Sequence, residues 1–480
     1  MNILIVQDNA INESIAIADL VGYLEEKGHH FDLLIEKEEN RFIDKIIISE
    51  CDIILIPADI GGHHWAHSIA KQIKCLTNKI IVIAGVYPTF YPDVVFKDNN
   101  FDYIIVGEAE ITFSRFLRGI ESGKDVSLIR GLWGKKNGLS FRNGMGDPVL
   151  CLDDMPMPKR EIYYKYAFMK HFPLKKFATG RGCYNNCSFC YNPLLKKQYP
   201  ASQPYVRRKS VKKVIYEINF VKDNSTLKSI HFSDDIFITS EEWLEEFARE
   251  FPVKVGIRFS CNASMDTLTE KRIKLLKKAG CRAVSIGIES GNLAIRRDVL
   301  NKDFSNKESI NKARWLKQND IMVFTFNMIG LPNESFENIL ETFSINYLMN
   351  TDHVRVFIAT PLPGTQLFET FKKMGDISGI ESIMDLPDFS QMKSRNKYLK
   401  LNKKHQKLAI IFPYLYKFPH LYKYINFFLW TPIYFIMKIC FLIFLFKEKN
   451  FFEFDLISGA RYFYHTGSPY KRTKNFVTLV

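Results

Sequence analysis

The chain has 480 residues, 46% hydrophobic and 25% charged, which excludes a disordered or fibrous protein and leaves room for about three domains. Its 66 basic and 52 acidic residues give +14, a balance that points to a polyanion or an anionic membrane as partner. The excess is local: residues 391–480 hold 16 Lys and Arg against 3 Asp and Glu, so the first 390 residues stand at 50 against 49. The polyanion argument therefore applies only to the tail.

Met1 is followed at once by the apolar run Ile3-Leu4-Ile5-Val6, with no basic segment or small-residue cleavage site. No secretory signal is expected, and the chain reads as cytoplasmic. Nine cysteines, three of them within eight residues, make no disulfide framework and point to a metal in a reducing compartment.

Over residues 1–127, strands are expected at 3–6, 31–35, 53–57, 80–84 and 103–106, with helices between them at 15–27 and 67–76, among others. This alternation predicts a doubly wound parallel sheet, an α/β fold whose ligands sit at the carboxyl ends of the strands. Residues 128–174 read as a hairpin closed by Asn137-Gly138, then a Pro-rich linker. From 175 to 390 a second series predicts strands at 175–179, 228–232, 254–258, 283–288, 321–328 and 353–358. Long helices are expected at 211–223, 240–250, 268–279 and 334–347. Six such units predict a partial (β/α)6 barrel with its site at the C-terminal strand ends.

Residues 391–480 read as a basic, aromatic, helical tail by composition, with 20 aromatic residues between Ile411 and Tyr464. Phe427 to Phe446 is an almost unbroken apolar run of 20 residues, long enough to span a bilayer. Pro432 and Lys438 interrupt it, and a central Lys costs about 2.5–3.5 kcal/mol on insertion. Flanking lysines, each adding about 1 kcal/mol near an anionic surface, favour an interfacial helix, peripheral on the inner face of the cell membrane. The alternative is an aromatic helix packed on the barrel. Nucleic acid is not the expected partner, because so dense an apolar run fits lipid better.

The strongest local signal is Gly180-Arg181-Gly182-Cys183-Tyr184-Asn185-Asn186-Cys187-Ser188-Phe189-Cys190. Three thiolates at Cys-x3-Cys-x2-Cys after a strand wrap a soft-metal centre: an Fe–S cluster, zinc or copper. Structural zinc wants a fourth ligand, and the next cysteine is Cys261. His171 and His231 are candidates, but nothing fixes them nearby. A four-iron [4Fe-4S] cluster with one iron open fits better.

This loop, with Phe189 before its last cysteine, resembles the radical SAM superfamily. Further segments match in order: Ser233-Asp234-Asp235 after the second barrel strand, Gly287-Ile288-Glu289 at the fourth, Gly330-Leu331-Pro332-Asn333-Glu334 after the fifth, and Pro361-Leu362-Pro363-Gly364 after the sixth. With the N-terminal domain, the whole of residues 1–375 resembles the superfamily's cobalamin-binding branch. The resemblance implies that Cys183, Cys187 and Cys190 hold the cluster and that S-adenosyl-L-methionine (SAM) chelates the open iron. It implies SAM contacts from the backbone of Phe189, from Asp234 or Asp235, and from Glu289. The bland readings are a helix cap for the aspartates and a buried ion pair for Glu289. Asn333 stands where the family has Gly, and Asn tolerates the left-handed turn.

The same resemblance places cobalamin against Gly85, Tyr87, Thr89, Gly107 and Glu108. Tyr87 replaces the family's usual His, and the Asp-x-His-x-x-Gly signature is absent. Cobalamin without a protein ligand to cobalt is therefore expected, and His63, His64 and His67 read as a solvated polar loop. The chemistry implied is methylation of an unactivated carbon through a 5′-deoxyadenosyl radical and methylcobalamin, on a small hydrophobic or lipid-like substrate, with a flavodoxin or ferredoxin as electron donor. The alternatives are a radical cyclase, a tRNA methylthiotransferase, or a non-catalytic cobalamin or Fe–S binding module. The methylthiotransferases carry further N-terminal cluster cysteines, where this chain offers Cys51 and Cys75.

Overall fold

The computed structural model describes residues 1–10, 13–136, 139–200, 202–375, 377, 379–386 and 403–430. The chain divides into two compact units, residues 1–172 with 382–389, and residues 173–381 with 390–480.

The first unit is built on a seven-stranded sheet. Strands β1 (Asn2–Gln7), β2 (His30–Ile35), β3 (Ile53–Pro57), β4 (Ile80–Ala84) and β5 (Tyr103–Ile105) run parallel, and β6 (Leu132–Lys136) and β7 (Leu139–Arg142) extend it antiparallel. The order is β2-β1-β3-β4-β5-β6-β7. Ile3, Leu4, Ile5 and Val6 are all buried, as a strand covered on both faces requires. Helices Ile15–Glu25, His63–Leu76 and Ala109–Glu121 are the longest of this unit. The expected Asn137-Gly138 turn lies outside the described residues.

The second unit carries β8 (Leu174–Phe177), then a two-stranded ladder of β9 (Gly180–Arg181) and β10 (Arg207–Arg208). After these come β11 (Ser229–Phe232), β12 (Phe259–Ala263), β13 (Cys281–Glu289), β14 (Met322–Ile329) and β15 (His353–Ile358). The six long strands form a wholly parallel sheet in the order β15-β14-β13-β12-β11-β8, curled through 185° into a partial barrel. Its outer face packs on helices such as Val211–Asn224 and Glu241–Lys254 through Phe232, Phe247, Phe251 and Phe259.

One expected strand is misplaced. Residues 254–258 close a helix rather than form a strand. Helix Glu241–Lys254 continues through Pro252, and Gly256 turns the chain at φ +71° before β12 begins at Phe259. The alternating Val253-Lys254-Val255 pattern imitates a strand, but Phe251 and Val255 bury together in the helix core.

Part of the tail packs on the barrel. Helix Lys403–Leu415 sets Leu408, Ala409 and Phe412 in one core with Val354, Val356 and Ile358 of β15. Phe412 lies 3.7 Å from the Phe343 ring, and burying such a ring stabilises by about 1.5–3 kcal/mol. Among the described residues no helix is long and apolar enough to cross a membrane. Of the apolar run 427–446, only residues 427–430 are described.

Candidate functional site

The cysteine loop leaves β8 through Thr179. A Cβ on Gly180 would stand 2.6 Å from the Arg207 carbonyl oxygen, and one on Gly182, at φ +90°, 2.5 Å from that of Tyr205. Both positions therefore exclude a side chain. The loop is then anchored at Ser188 by three hydrogen bonds. Its N–H donates to Leu300 O (3.1 Å) and its hydroxyl to Val299 O (2.6 Å), while Leu367 N–H donates to Ser188 O (2.9 Å). Phe189 packs against a core of Ile295, Leu300, Leu331, Leu367 and Phe371.

Cys183 is buried and Cys187 and Cys190 half-buried. Burial pushes the Cys183 thiol up to about 12 and that of Cys187 to about 11. Burial raises Cys190 as well, against the donors of Asn192. Asn185 N–H lies 3.4 Å from Cys183 Sγ, and Asn192 N–H lies 3.4 Å from Cys190 Sγ. Such donors suit thiolates, and the thiols need a metal's positive charge to ionise. Among the described residues, no three His, Cys, Asp or Glu side chains gather round a single ion. Three thiols on one loop suit an Fe–S cluster, in which each thiolate takes a separate iron. Cys183, Cys187 and Cys190 fit such a group.

The aspartate pair divides. Asp234 is fully enclosed and accepts from Thr179 N–H (2.9 and 3.1 Å) and from the Thr179 hydroxyl (2.8 Å). Burial pushes its carboxyl up, against the opposing pull of Arg208 and Thr179. Its carboxylate ties the base of the loop to β11. Asp235 Oδ2 accepts from Asn192 Nδ2 (3.2 Å), and the same amide group lies 3.5 Å from Cys190 Sγ. The charge of Asp235 also acts on Cys183 and Cys190. Of the two, Asp235 faces the cysteines.

Glu289 ends β13 at φ +64° and pairs with Lys302 (3.1 Å), whose ammonium also donates to Gly287 O (2.6 Å). Both charges reach Cys187. The buried ion pair is thus present, and it stands beside the cluster loop. Asn333 adopts φ +59°, the left-handed turn expected of it. Glu334 closes that turn by accepting from Gly330 N–H (2.5 Å) and Leu331 N–H (3.2 Å), and burial pushes its carboxyl up to about 7.

In the first unit, Gly85, Thr89 and Gly107 meet at the carboxyl ends of β4 and β5. The Thr89 hydroxyl donates to Gly85 O (2.7 Å) and accepts from Gly107 N–H (3.0 Å). Gly85 has φ +116°, and a Cβ there would stand 2.7 Å from Ala58 O. Glu108 Oε2 accepts from Val149 N–H (3.2 Å). Tyr87 is fully buried, and its hydroxyl meets His67 Nε2 (2.8 Å) and donates to Met384 Sδ (3.5 Å).

The histidines are not a solvated loop. They open helix His63–Leu76, and each is held by protein atoms. His63 Nε2 and His64 Nε2 meet Leu386 O at 3.0 and 2.9 Å, and His67 Nδ1 meets Asp98 at 2.5 Å. A segment more than 300 residues away in sequence covers them, which local polarity does not reveal. Ser188, Asn192 and Lys302 are the site residues that sequence reasoning missed. Asn192 follows Cys190 by two residues, a position from which its backbone N–H meets the thiol.

A half-barrel with a three-cysteine loop after its first strand, preceded by a parallel-sheet cofactor domain, defines the class of the protein. Residues 177–344 match the family model of the Radical SAM superfamily, and residues 2–117 that of the B12 binding domain. The chain belongs to the radical SAM enzymes that carry a B12-binding domain. The cofactors of that family are a [4Fe-4S] cluster, SAM and cobalamin.

The chain is 28% identical over 324 residues to the uncharacterized methyltransferase PH0819 of Pyrococcus horikoshii, covering 66% of this chain and 69% of that protein. It is 25% identical over 380 residues to the anaerobic magnesium-protoporphyrin IX monomethyl ester cyclase of Rubrivivax gelatinosus, covering 75% and 66%. The chain thus spans about two thirds of the length of these relatives. In fold it resembles the radical S-adenosylmethionine methyltransferase TsrM from Kitasatospora setae, with a TM-score of 0.64 and 16% identity over 79% of this chain and 77% of that one.

Proposed function

We propose that the chain methylates an unactivated carbon of a small hydrophobic or lipid-like substrate. The observation that carries this reading is the presence of a B12-binding domain and a three-cysteine radical SAM loop in one chain. The methyltransferase relative supports it. When bound, the cluster and SAM supply a carbon radical that abstracts hydrogen, and cobalamin supplies the methyl group.

The chain's own residues set the stage. Cys183, Cys187 and Cys190 hold the cluster, and the Ser188 anchors keep their loop rigid. Asp235, Glu289 and Lys302 present charge to the polar groups of SAM, and the backbone at Phe189 meets the adenine. The tie between Gly85, Thr89 and Gly107 fixes the ends of β4 and β5, the edge proposed to receive cobalamin. His63, His64 and His67 are engaged elsewhere, which supports a cobalt with no protein ligand.

Anaerobic purification with metal analysis, cobalamin EPR and product analysis tests this reading. Four irons and one cobalt per chain, no nitrogen hyperfine coupling on cobalt, and 5′-deoxyadenosine from SAM are expected; one zinc without cobalt overturns it. The cyclase relative favours a second reading, radical ring formation. Under it, 5′-deoxyadenosine forms without methyl transfer from labelled SAM. No 5′-deoxyadenosine at all leaves a binding module.

Asp235→Asn is expected to keep stability within about 0.5 kcal/mol and to weaken SAM about tenfold. Equilibrium dialysis reads this, and unchanged affinity removes Asp235 from the site. A flavodoxin or ferredoxin is the proposed electron donor. The proposed membrane contact draws on exposed Phe418, Tyr424 and Phe427 beside Lys417 and Lys423. Flotation with anionic liposomes checks it, and a protein indifferent to them removes it.

A further inference from the structure

The half-barrel has a second face. Along β15, Val354, Val356 and Ile358 pack outward on the tail helix, so the alternation of a strand turns His353, Arg355 and Phe357 into the concave lumen. Along β14, Val323 and Ile329 are buried, whereas Phe324, Phe326 and Met328 are only half-buried and take the lumen side. The Phe326 and Phe357 rings stand 6.0 Å apart. They make an aromatic wall.

Three basic side chains share this lumen. His231 of β11 lies in register with Lys176 of β8 and Ser260 of β12. Its Nδ1 is bonded to the Ser260 hydroxyl at 2.9 Å. β8 and β15 are the two edges of the curled sheet, and curling brings Arg355 within electrostatic reach of both His231 and Lys176. Burial and these two cations hold His231 down to about 3, so its imidazole is neutral. In the tautomer in which Ser260 donates to Nδ1, the Nε2–H is a donor.

Arg355 has no side-chain hydrogen-bond or ion-pair partner among the described residues. A guanidinium is always charged and offers a planar fork of donors that matches an oxyanion. Holding it in a half-enclosed lumen beside Lys176 is unfavourable until an anion arrives.

We propose that the lumen binds the oxyanion of the substrate, a carboxylate or a phosphate, on Arg355 beside His231 and Lys176, with the substrate's hydrophobic body along Phe324, Phe326 and Phe357. This rests on the reading of the chain as a substrate-modifying enzyme. It narrows the substrate from hydrophobic to amphiphilic, with one anionic end.

The test is anaerobic calorimetry on the full chain with its cluster reconstituted, using benzoate, phenyl phosphate and benzyl alcohol as probes. At least one anion is expected to bind tenfold or more tightly than the alcohol, about the effect of one charge-assisted hydrogen bond. Which anion does so tells carboxylate from phosphate. Arg355→Met is expected to erase the preference and Arg355→Lys to retain part of it, so the conclusion survives if the Met variant melts early. Anions that bind no better than the alcohol, or equally well to Arg355→Met, overturn the proposal. Formation of 5′-deoxyadenosine by the unmodified protein is scored separately. Its absence sinks the radical reading alone, and loss of anion preference with SAM cleavage intact sinks the anion site alone.

Discussion

Cys183→Ala is expected to yield a folded protein that has lost its iron. SAM cleavage should fall by more than about 100-fold, beyond the usual cost of removing a partner outside the ligand set. The fold survives because the loop is anchored elsewhere, at Ser188 and by Phe189 in its apolar core. Cobalt content should be unchanged, since the B12-binding domain lies in the other compact unit. Iron analysis, cobalt analysis and circular dichroism on one preparation read all three effects. A variant that keeps its iron shows that Cys183 is no ligand. A variant that unfolds shows that the cluster, rather than the Ser188 anchors, holds the loop.

Asp234→Ala is expected to have the largest effect on stability. The carboxylate takes two donors of Thr179 and faces the buried Arg208 guanidinium. Arg208 in turn donates to Thr179 Oγ1 at 2.9 Å and lies 3.9 Å over the Trp243 ring. Removing the carboxylate leaves the buried Thr179 N–H and hydroxyl without their acceptor, which costs about 1–3 kcal/mol. For a unit of this size, that lowers the melting temperature by roughly 2–12 °C. Asp234→Asn retains one acceptor and should lose less. A variant with wild-type melting but lost SAM binding would falsify the anchoring role and return Asp234 to the SAM ligands.

These two residues mark how far the sequence could be read. The cluster loop was legible because its requirements are local: glycines where a Cβ has no room, and cysteines a few residues apart. Both sheets were legible for a similar reason, since buried parallel strands such as Ile3-Leu4-Ile5-Val6 are apolar throughout. Asp234 and Asp235 could not be told apart, because the difference lies in Thr179, 55 residues away. Lys302 was invisible for the same reason: it matters only once β13 brings Glu289 to it. Tyr87 and the three histidines read as polar groups at a ligand edge. Met384 and Leu386, from beyond the barrel, are what cover them. Residues 254–258 misled because an alternating pattern of three or four residues is too short to separate a helix end from a strand.

That covering segment also sets an order of assembly. The first unit consists of residues 1–172 and 382–389, so the barrel is an insertion within it. On the ribosome, the piece that caps His63 and His64 emerges about 210 residues after the rest of its unit, a delay of roughly 10–40 s at ordinary elongation rates. Throughout that interval the histidine edge is uncapped while the barrel strands are being made. The unit that holds the B12-binding domain is therefore completed only after the barrel strands, although most of it is translated first.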